Sequence, residues 1–95
     1  MGLFLITYDL CQPGRNYDNL YALLRDSWKA SKIAESVWLA ELKGPAPNVR
    51  DFIVRSVDTN DRVAVIELRQ PFDWAAHHGL TGGVELLKKY SPSAR

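Results

Sequence analysis

The sequence predicts an α+β fold, in which one β-sheet packs against a layer of helices. Segments with the composition of strands alternate along the chain with segments whose apolar residues recur at helical spacing. The first strand-like segment, 3–9, is apolar on both faces, because side chains alternate along a strand. Such a strand needs cover on both sides. We expect the helices to pack on one side and a second copy of the chain to cover the other.

Composition restricts the class of protein. The chain has 95 residues, of which 46% are hydrophobic and 24% charged, as is typical of one small globular domain. Its net charge of +1 does not indicate general affinity for nucleic acid, since basic domains of that kind usually have a pI above about 9. Cys11 is the single cysteine, which excludes an intrachain disulfide. No apolar run is long enough to span a bilayer, so we predict a cytoplasmic protein without a membrane partner.

The first half of the chain predicts a strand, a helix and a second strand. We expect the helix to run from about 17 to 31. Its apolar residues recur at i, i+3, i+4 and i+8 and form one stripe: Leu20, Leu23, Leu24 and Trp28. Segment 33–42 is rich in β-branched and aromatic residues and predicts the second strand, which Pro45 and Pro47 terminate.

The second half predicts a shorter helix capped by Asn48 and a third strand over 62–68. A split sheet of the ferredoxin-like type, βαββαβ, requires four strands. The ten residues of 33–42 are few for a hairpin. Either this strand is bent and serves twice, or the fourth strand comes from the C-terminal region or from a partner chain.

The C-terminal quarter of the chain departs from this alternation. A last helix is predicted over 84–90, and the glycines within 79–83 are expected to leave the preceding segment loosely held. We therefore divide the single domain into a ferredoxin-like core, 1–70, and an irregular tail, 71–95, with a short C-terminal helix.

An ordered set of segments carries a family resemblance. The segments are 4–10, 13–21, 36–42 and 60–66. Together they resemble the small bacterial proteins of the SinR family, which are similar to the CRISPR-associated Cas-two family and to virulence-associated protein D. The resemblance implies a ferredoxin-like split βαββαβ homodimer whose two sheets pack face to face.

Asp9, which closes the first strand, is the main candidate for a functional residue. A charge at the end of a doubly buried strand needs a ligand or hydrogen bonds. In the Cas-two family, the matching aspartates of two protomers are proposed to hold a divalent metal for phosphodiester cleavage. The resemblance thus implies that Asp9 is a catalytic residue and a ligand of Mg²⁺ or Mn²⁺, since two adjacent carboxylates demand a cation. Alternatively, Asp9 accepts backbone N–H bonds from the loop at 13–14.

Other residues have predicted roles around this site. Arg15, in the loop after the first strand, has a planar guanidinium that suits phosphate, although a solvated loop arginine is the alternative. Leu3, Leu5 and Trp38 are predicted to lie at the interface between protomers. Tyr8 points away from Asp9 by alternation and is predicted to be a packing residue.

The function predicted from the residues and the resemblance is nucleic-acid binding by a homodimer. In an active form it would be a divalent-metal-dependent nuclease, with RNA favoured over DNA on the strength of the family. Two alternatives stay open. One is a non-catalytic scaffold that binds a protein partner through its sheet edges and the 71–95 tail. The other is a ribonuclease toxin that pairs with an antitoxin.

Overall fold

A computed structural model describes residues 1–11 and 17–91. Within these ranges the chain forms a four-stranded antiparallel sheet and three helices, which confirms the α+β class. The strands are β1 Gly2–Asp9, β2 Ser31–Ala34, β3 Val37–Leu42 and β4 Arg62–Leu68. The helices are α1 Asp18–Tyr21, which continues as a π-helical segment over Ala22–Ser27, α2 Ala46–Val54 and α3 Thr81–Tyr90. None of the described helices is long and apolar enough to cross a membrane.

The strands lie in the order β2-β3-β1-β4, so β2 and β4 form the edges of the sheet. Segment 33–42, predicted as one strand, contributes to two, because β2 and β3 form a hairpin with its turn at Glu35 and Ser36. The hairpin begins at Ser31 because the first helix ends earlier than predicted. Lys29 then has a φ of 53°, a left-handed conformation that cannot continue a helix. The chain itself therefore supplies the fourth strand.

One face of the sheet packs against α1 and α2. The fully buried side chains of this core come from β1 and from the apolar faces of both helices: Phe4, Ile6, Leu20, Leu24 and Ile53. The predicted apolar stripe of the first helix is therefore confirmed. Helix α2 begins at Ala46, before the predicted cap Asn48. Pro47 is accommodated in its first turn because amide groups there need no partner within the helix.

The opposite face of the sheet is partly covered by α3, so the expectation that all helices pack on one side is wrong. Leu3 of β1 and Leu39 of β3 pack with Leu87 of α3, and all three side chains are buried. Helix α3 lies over β2 and β3. On the β1–β4 side of the same face, Ile66 is 53% exposed. Strand β1 thus has cover from its own chain at one end of its second face and an open surface beside β4.

Gly83 brings α3 into close contact with β2. A Cβ atom built at this position would lie 2.5 Å from Ile33 Cβ and 2.7 Å from the Lys32 carbonyl oxygen. Gly82 and Gly83 both lie within α3, and Gly83 is buried. The prediction that the glycines leave this segment loosely held is therefore wrong at these two positions. A residue without a side chain is used here for close helix–strand packing.

Glu41 ties the C-terminal end of α3 to β3. Its Oε2 atom accepts hydrogen bonds from Lys89 Nζ at 2.8 Å and from the Tyr90 hydroxyl at 2.8 Å. These two hydrogen bonds lower the pKa of Glu41 below its ordinary value. A carboxylate whose pKa is lowered by folding stabilises the folded state above its unfolded-state pKa. That contribution is lost as the pH falls through the folded-state pKa.

We expect the wild-type protein to lose unfolding free energy between about pH 5 and pH 3, and the Glu41→Gln variant to lose less over the same interval. Urea denaturation at several pH values, followed by tryptophan fluorescence, measures this difference. Glu85→Gln, on an exposed position of α3, is the control and should keep the wild-type pH profile. Identical profiles for the wild type and Glu41→Gln would contradict the contribution assigned to Glu41.

Candidate functional site

Asp9 lies at the exposed end of β1, beside the edge strand β4. Its register partner is Arg62, whose Nη1 donates a hydrogen bond to Asp9 Oδ2 at 2.9 Å. The Arg62 and Asp9 side chains are 77% and 65% exposed, so solvent screens the ion pair and it contributes at most about 1 kcal/mol to stability. The strand therefore leaves the core before its last residue, and the carboxylate is accessible.

A polar cavity of about 280 Å³ opens beside Asp9, where β1, α1 and the β2–β3 turn meet. Its lining residues that carry charged or hydroxyl groups are Tyr8, Asp9, Tyr21, Lys32, Glu35 and Ser36. The cavity therefore combines two carboxylates and one ammonium group with three hydroxyl-bearing residues. Carboxylate oxygens are the ligands that Mg²⁺ prefers, and an ammonium group binds phosphate as a point charge.

Tyr8 is buried behind this cavity. Trp38 Nε1 donates a hydrogen bond to the Tyr8 hydroxyl oxygen at 3.0 Å, and burial raises the pKa of Tyr8 above its ordinary value of 10.0. The phenol is therefore protonated at neutral pH and is unsuited to act as a base. The Lys32 ammonium lies 5.3 Å from the centroid of the Trp38 ring. Tyr8 and Asp9 line the same cavity despite the alternation of side chains, because β1 ends at Asp9.

Asp61 connects the two described residues that flank segment 12–16. Its Oδ1 atom accepts hydrogen bonds from the Cys11 amide at 2.7 Å and from the Tyr17 hydroxyl at 3.1 Å. Its Oδ2 atom accepts a third from the Asp58 amide at 2.8 Å. One carboxylate thus joins the end of β1, the start of α1 and the turn that precedes β4.

No sequence pattern indicated this role, since Asp61 is one of two aspartates in a turn-forming segment, 58–61. Arg15, the predicted phosphate contact, lies outside the described residues, as does the 13–14 loop that was the alternative hydrogen-bonding partner of Asp9. Asp61 fixes the positions from which the chain enters and leaves the segment that contains Arg15.

The predicted interface residues occupy different environments. Leu3 and Trp38 are 0% and 2% exposed within the single chain, on opposite faces of the sheet. Leu5 is half-buried and is the register partner of the exposed Ile66. Of the three, Leu5 is the residue with accessible surface for a second chain.

Lys32 and Glu35 are site residues that sequence reasoning missed. Lys32 lay between the predicted helix, which ended at about 31, and the predicted second strand, 33–42, to which Glu35 was assigned without a functional role. Only the hairpin turn at Glu35 and Ser36 brings this segment next to Asp9. A polar pair, Glu-Ser, inside an otherwise apolar strand-like segment was the available signal.

Among residues 1–11 and 17–91, no three histidine, cysteine, aspartate or glutamate side chains are grouped so as to hold a metal ion. Asp9 and Glu35 line one cavity as a pair. A divalent ion bound here would complete its coordination with water, with substrate phosphate or with a carboxylate of a second chain, as Mg²⁺ commonly does.

Comparison with known proteins leaves the site to be interpreted from its own chemistry. No protein-family model matches the chain, and no solved structure matches it significantly.

Proposed function

We propose that this protein is a nucleic-acid-binding homodimer that cleaves RNA with a divalent metal ion at the cavity beside Asp9. The observation that carries the proposal is the presence of Asp9, Glu35 and Lys32 around one solvent-accessible cavity. Mg²⁺ or Mn²⁺ held by carboxylate oxygens would activate a water molecule and stabilise the charge that develops on the phosphate. Lys32 would attract and position the phosphodiester group.

The proposed fold is the ferredoxin-like split βαββαβ arrangement. In support, the chain order of the first six elements is β1, α1, β2, β3, α2 and β4, and the sheet order is β2-β3-β1-β4. Strands β1 and β3 are therefore central. Helix α1 connects β1 to β2, helix α2 connects β3 to β4, and both helices pack on the same face of the sheet. Helix α3 is an addition on the opposite face.

The proposed homodimer would use the open β1–β4 side of the sheet. Leu5 and Ile66 are register partners, so their side chains share a face, and Ala64 of β4 is also exposed. A second copy packed on this surface would remove an apolar patch from water. The family resemblance implies that two Asp9 side chains would lie near the dimer axis, and such a pair would supply carboxylate ligands that one chain lacks.

The test of the proposed activity is cleavage of a labelled RNA by the wild type and by Asp9→Asn. We expect cleavage with Mg²⁺ or Mn²⁺ and none in EDTA, and we expect Asp9→Asn to lower the rate on the order of 100-fold. The fold should be unaffected, because the Asp9–Arg62 pair is exposed. Thermal unfolding checks this point.

Asp51→Asn is the matched control, because Asp51 is also an exposed aspartate paired with an arginine, Arg50. It should cleave at the wild-type rate. Equal cleavage by the wild type and Asp9→Asn, or full cleavage in EDTA, would contradict the proposed mechanism.

A second candidate function, a protein-interaction scaffold, is favoured by the exposed apolar surface around Ile66. Binding that depends on phosphate contacts falls steeply as salt rises from about 50 to 200 mM, because counterions are released. An apolar protein interface is far less sensitive to salt. Salt-insensitive binding to a protein partner, without RNA cleavage by this protein in any divalent metal ion, would favour the scaffold. If the protein were instead a toxin that binds an antitoxin, it would also cleave RNA.

A further inference from the structure

A second cavity, of about 290 Å³, lies at the end of the sheet opposite to Asp9. The residues around it include Trp28 after the first helix, Lys43 and Gly44 after β3, and Asn48 and Phe52 of α2. Leu42, which also lines the cavity, pairs with Gly2 at the start of β1, whereas Asp9 is the last residue of β1. About 20 Å of strand therefore separates the two cavities.

Two aromatic rings form walls of this second cavity. The ring centroids of Trp28 and Phe52 are 6.3 Å apart and their planes make an angle of 68°. Phe52 is 51% exposed, and Trp28 is half-buried. The two rings therefore contact each other edge to face and still expose aromatic surface to solvent. Aromatic side chains of this kind are the platforms on which nucleobases stack.

The charges at this cavity complement a phosphate backbone. Lys43 lines the cavity, and the Arg55 guanidinium lies 4.8 Å from the centroid of the Phe52 ring. No described carboxylate lines the cavity. The nearest acidic residue along α2, Asp51, is paired with Arg50 at 2.9 Å. An anionic ligand is therefore favoured over a cationic or a neutral one.

Asn48 adds an exposed side-chain amide to the lining. An amide offers both hydrogen-bond donors and an acceptor, as the edge of a nucleobase requires. The volume is at the small end of the range for ligand pockets, which suits one heterocycle better than a base pair. Bases within a duplex are also unavailable for stacking on protein rings.

We propose that this cavity binds an unpaired base of single-stranded RNA. The base stacks on the exposed Phe52 ring, and Trp28, whose ring plane makes an angle of 68° with that of Phe52, forms the adjoining wall. Asn48 contacts the edge of the base, and Lys43 and Arg55 contact the adjacent phosphates. The inference deepens the proposed function, because it assigns a single-stranded substrate and a binding site remote from the cleavage site.

The test is a fluorescence-anisotropy titration in EDTA with a labelled 12-nucleotide oligoadenylate and with an RNA duplex of equal length. We expect the single strand to bind more tightly than the duplex and to quench tryptophan fluorescence. Phe52→Leu keeps an apolar side chain but removes the ring, so it should weaken single-strand binding at least about 5-fold. Lys43→Ala should weaken binding and reduce the slope of log affinity against log salt concentration by about 1, as expected for the loss of one phosphate contact.

Controls separate binding from folding. Phe72→Leu changes a partly buried ring on the α3 side of the sheet, and Lys88→Ala removes an exposed charge of α3; both should bind as the wild type does. Urea denaturation verifies that each variant is folded. Wild-type affinity in folded Phe52→Leu, or equal affinity for duplex and single strand, would overturn the inference.

The two proposals fail in different ways. Asp9→Asn should lose cleavage and keep single-strand binding, if both proposals hold. If Phe52→Leu bound single-stranded RNA as tightly as the wild type while cleavage still depended on Asp9, only the assignment of the second cavity would be overturned. Ring-dependent binding without metal-dependent cleavage by the wild type would overturn only the nuclease.

Discussion

Replacing Asp61 by alanine is expected to lower the free energy of unfolding by about 2–4 kcal/mol, because it removes the three hydrogen bonds that the carboxylate accepts from donors within residues 1–11 and 17–91. The carboxylate accepts from the amides of Cys11 and Asp58 and from the hydroxyl of Tyr17. Two of these donors are backbone amides that alanine cannot satisfy. A hydrogen bond to a charged group contributes about 1.5–3 kcal/mol, but bonds that share one acceptor are not additive.

Asp61→Asn provides the graded comparison. Its Oδ1 can still accept from Cys11 and Tyr17, while its NH₂ group would face the Asp58 amide, which is also a donor. We therefore expect the free energy of unfolding of Asp61→Asn to lie between those of the wild type and of Asp61→Ala. Asp51→Ala, which removes an exposed ion pair with Arg50, should change stability by less than about 1 kcal/mol.

Urea denaturation followed by circular dichroism and tryptophan fluorescence measures all three variants. Hydrogen exchange at the Cys11 amide gives a local readout, because that amide donates to Asp61 in the wild type. If Asp61→Ala unfolded at the same urea concentration as Asp51→Ala, the structural role of Asp61 would be disproved.

The second large effect is expected from Gly83→Ala, with a loss of about 1–3 kcal/mol from overpacking. The added methyl group would meet Ile33 Cβ at 2.5 Å and the backbone oxygen of Lys32 at 2.7 Å. Backbone atoms of β2 cannot rotate away as the end of a flexible side chain can. Helix α3 would have to move off the sheet, which would loosen the contacts of Leu87 with Leu3 and Leu39.

Gly82→Ala is the matched control, because it makes the same change one residue earlier in the same helix. Its methyl group would meet only the Ser31 side chain, at 3.2 Å and 3.3 Å. Alanine is preferred over glycine in a helix by about 1 kcal/mol, so this variant should be close to the wild type in stability or slightly above it. Urea denaturation measures both variants, and hydrogen exchange shows whether α3 loses protection before α1. A Gly83→Ala variant as stable as Gly82→Ala would contradict the close packing described for Gly83.

Asp61 and its neighbour Arg62 connect stability with the candidate site. Asp61 holds Cys11 and Tyr17, and Arg62 pairs with Asp9. The first residue of β4 and the residue before it therefore contact both the end of β1 and the residue that precedes α1. For this reason, a change at Asp61 is expected to affect the cavity beside Asp9 as well as the stability of the fold.

Local patterns in the sequence predicted the individual elements that depend on near neighbours. The third predicted strand, 62–68, coincides with β4, and the stripe that contains Leu20 and Leu24 faces the core as expected. Period and composition report which face of an element is apolar, and this information is carried by residues a few positions apart. The α+β class follows from the alternation of such elements.

The sequence left the hairpin as one of two alternatives, because its turn is two polar residues, Glu35 and Ser36, within a segment whose composition is continuous with a strand; the structure decides for the strand that serves twice. The cover that α3 gives to the second face was missed for a related reason. Glycines are usually signs of loose structure, and only the distance from Gly83 to β2 shows that here a glycine permits contact.

By itself, the sequence determined the α+β class, the course of β1 and β4 and the position of Asp9 at the end of a strand. The tertiary structure alone decided which side chains stand beside Asp9. Lys32, Glu35 and Tyr21 reach the same cavity from separate elements. Contacts between residues far apart in the chain depend on how strands pair and helices pack, and neither period nor composition of a single segment encodes that pairing.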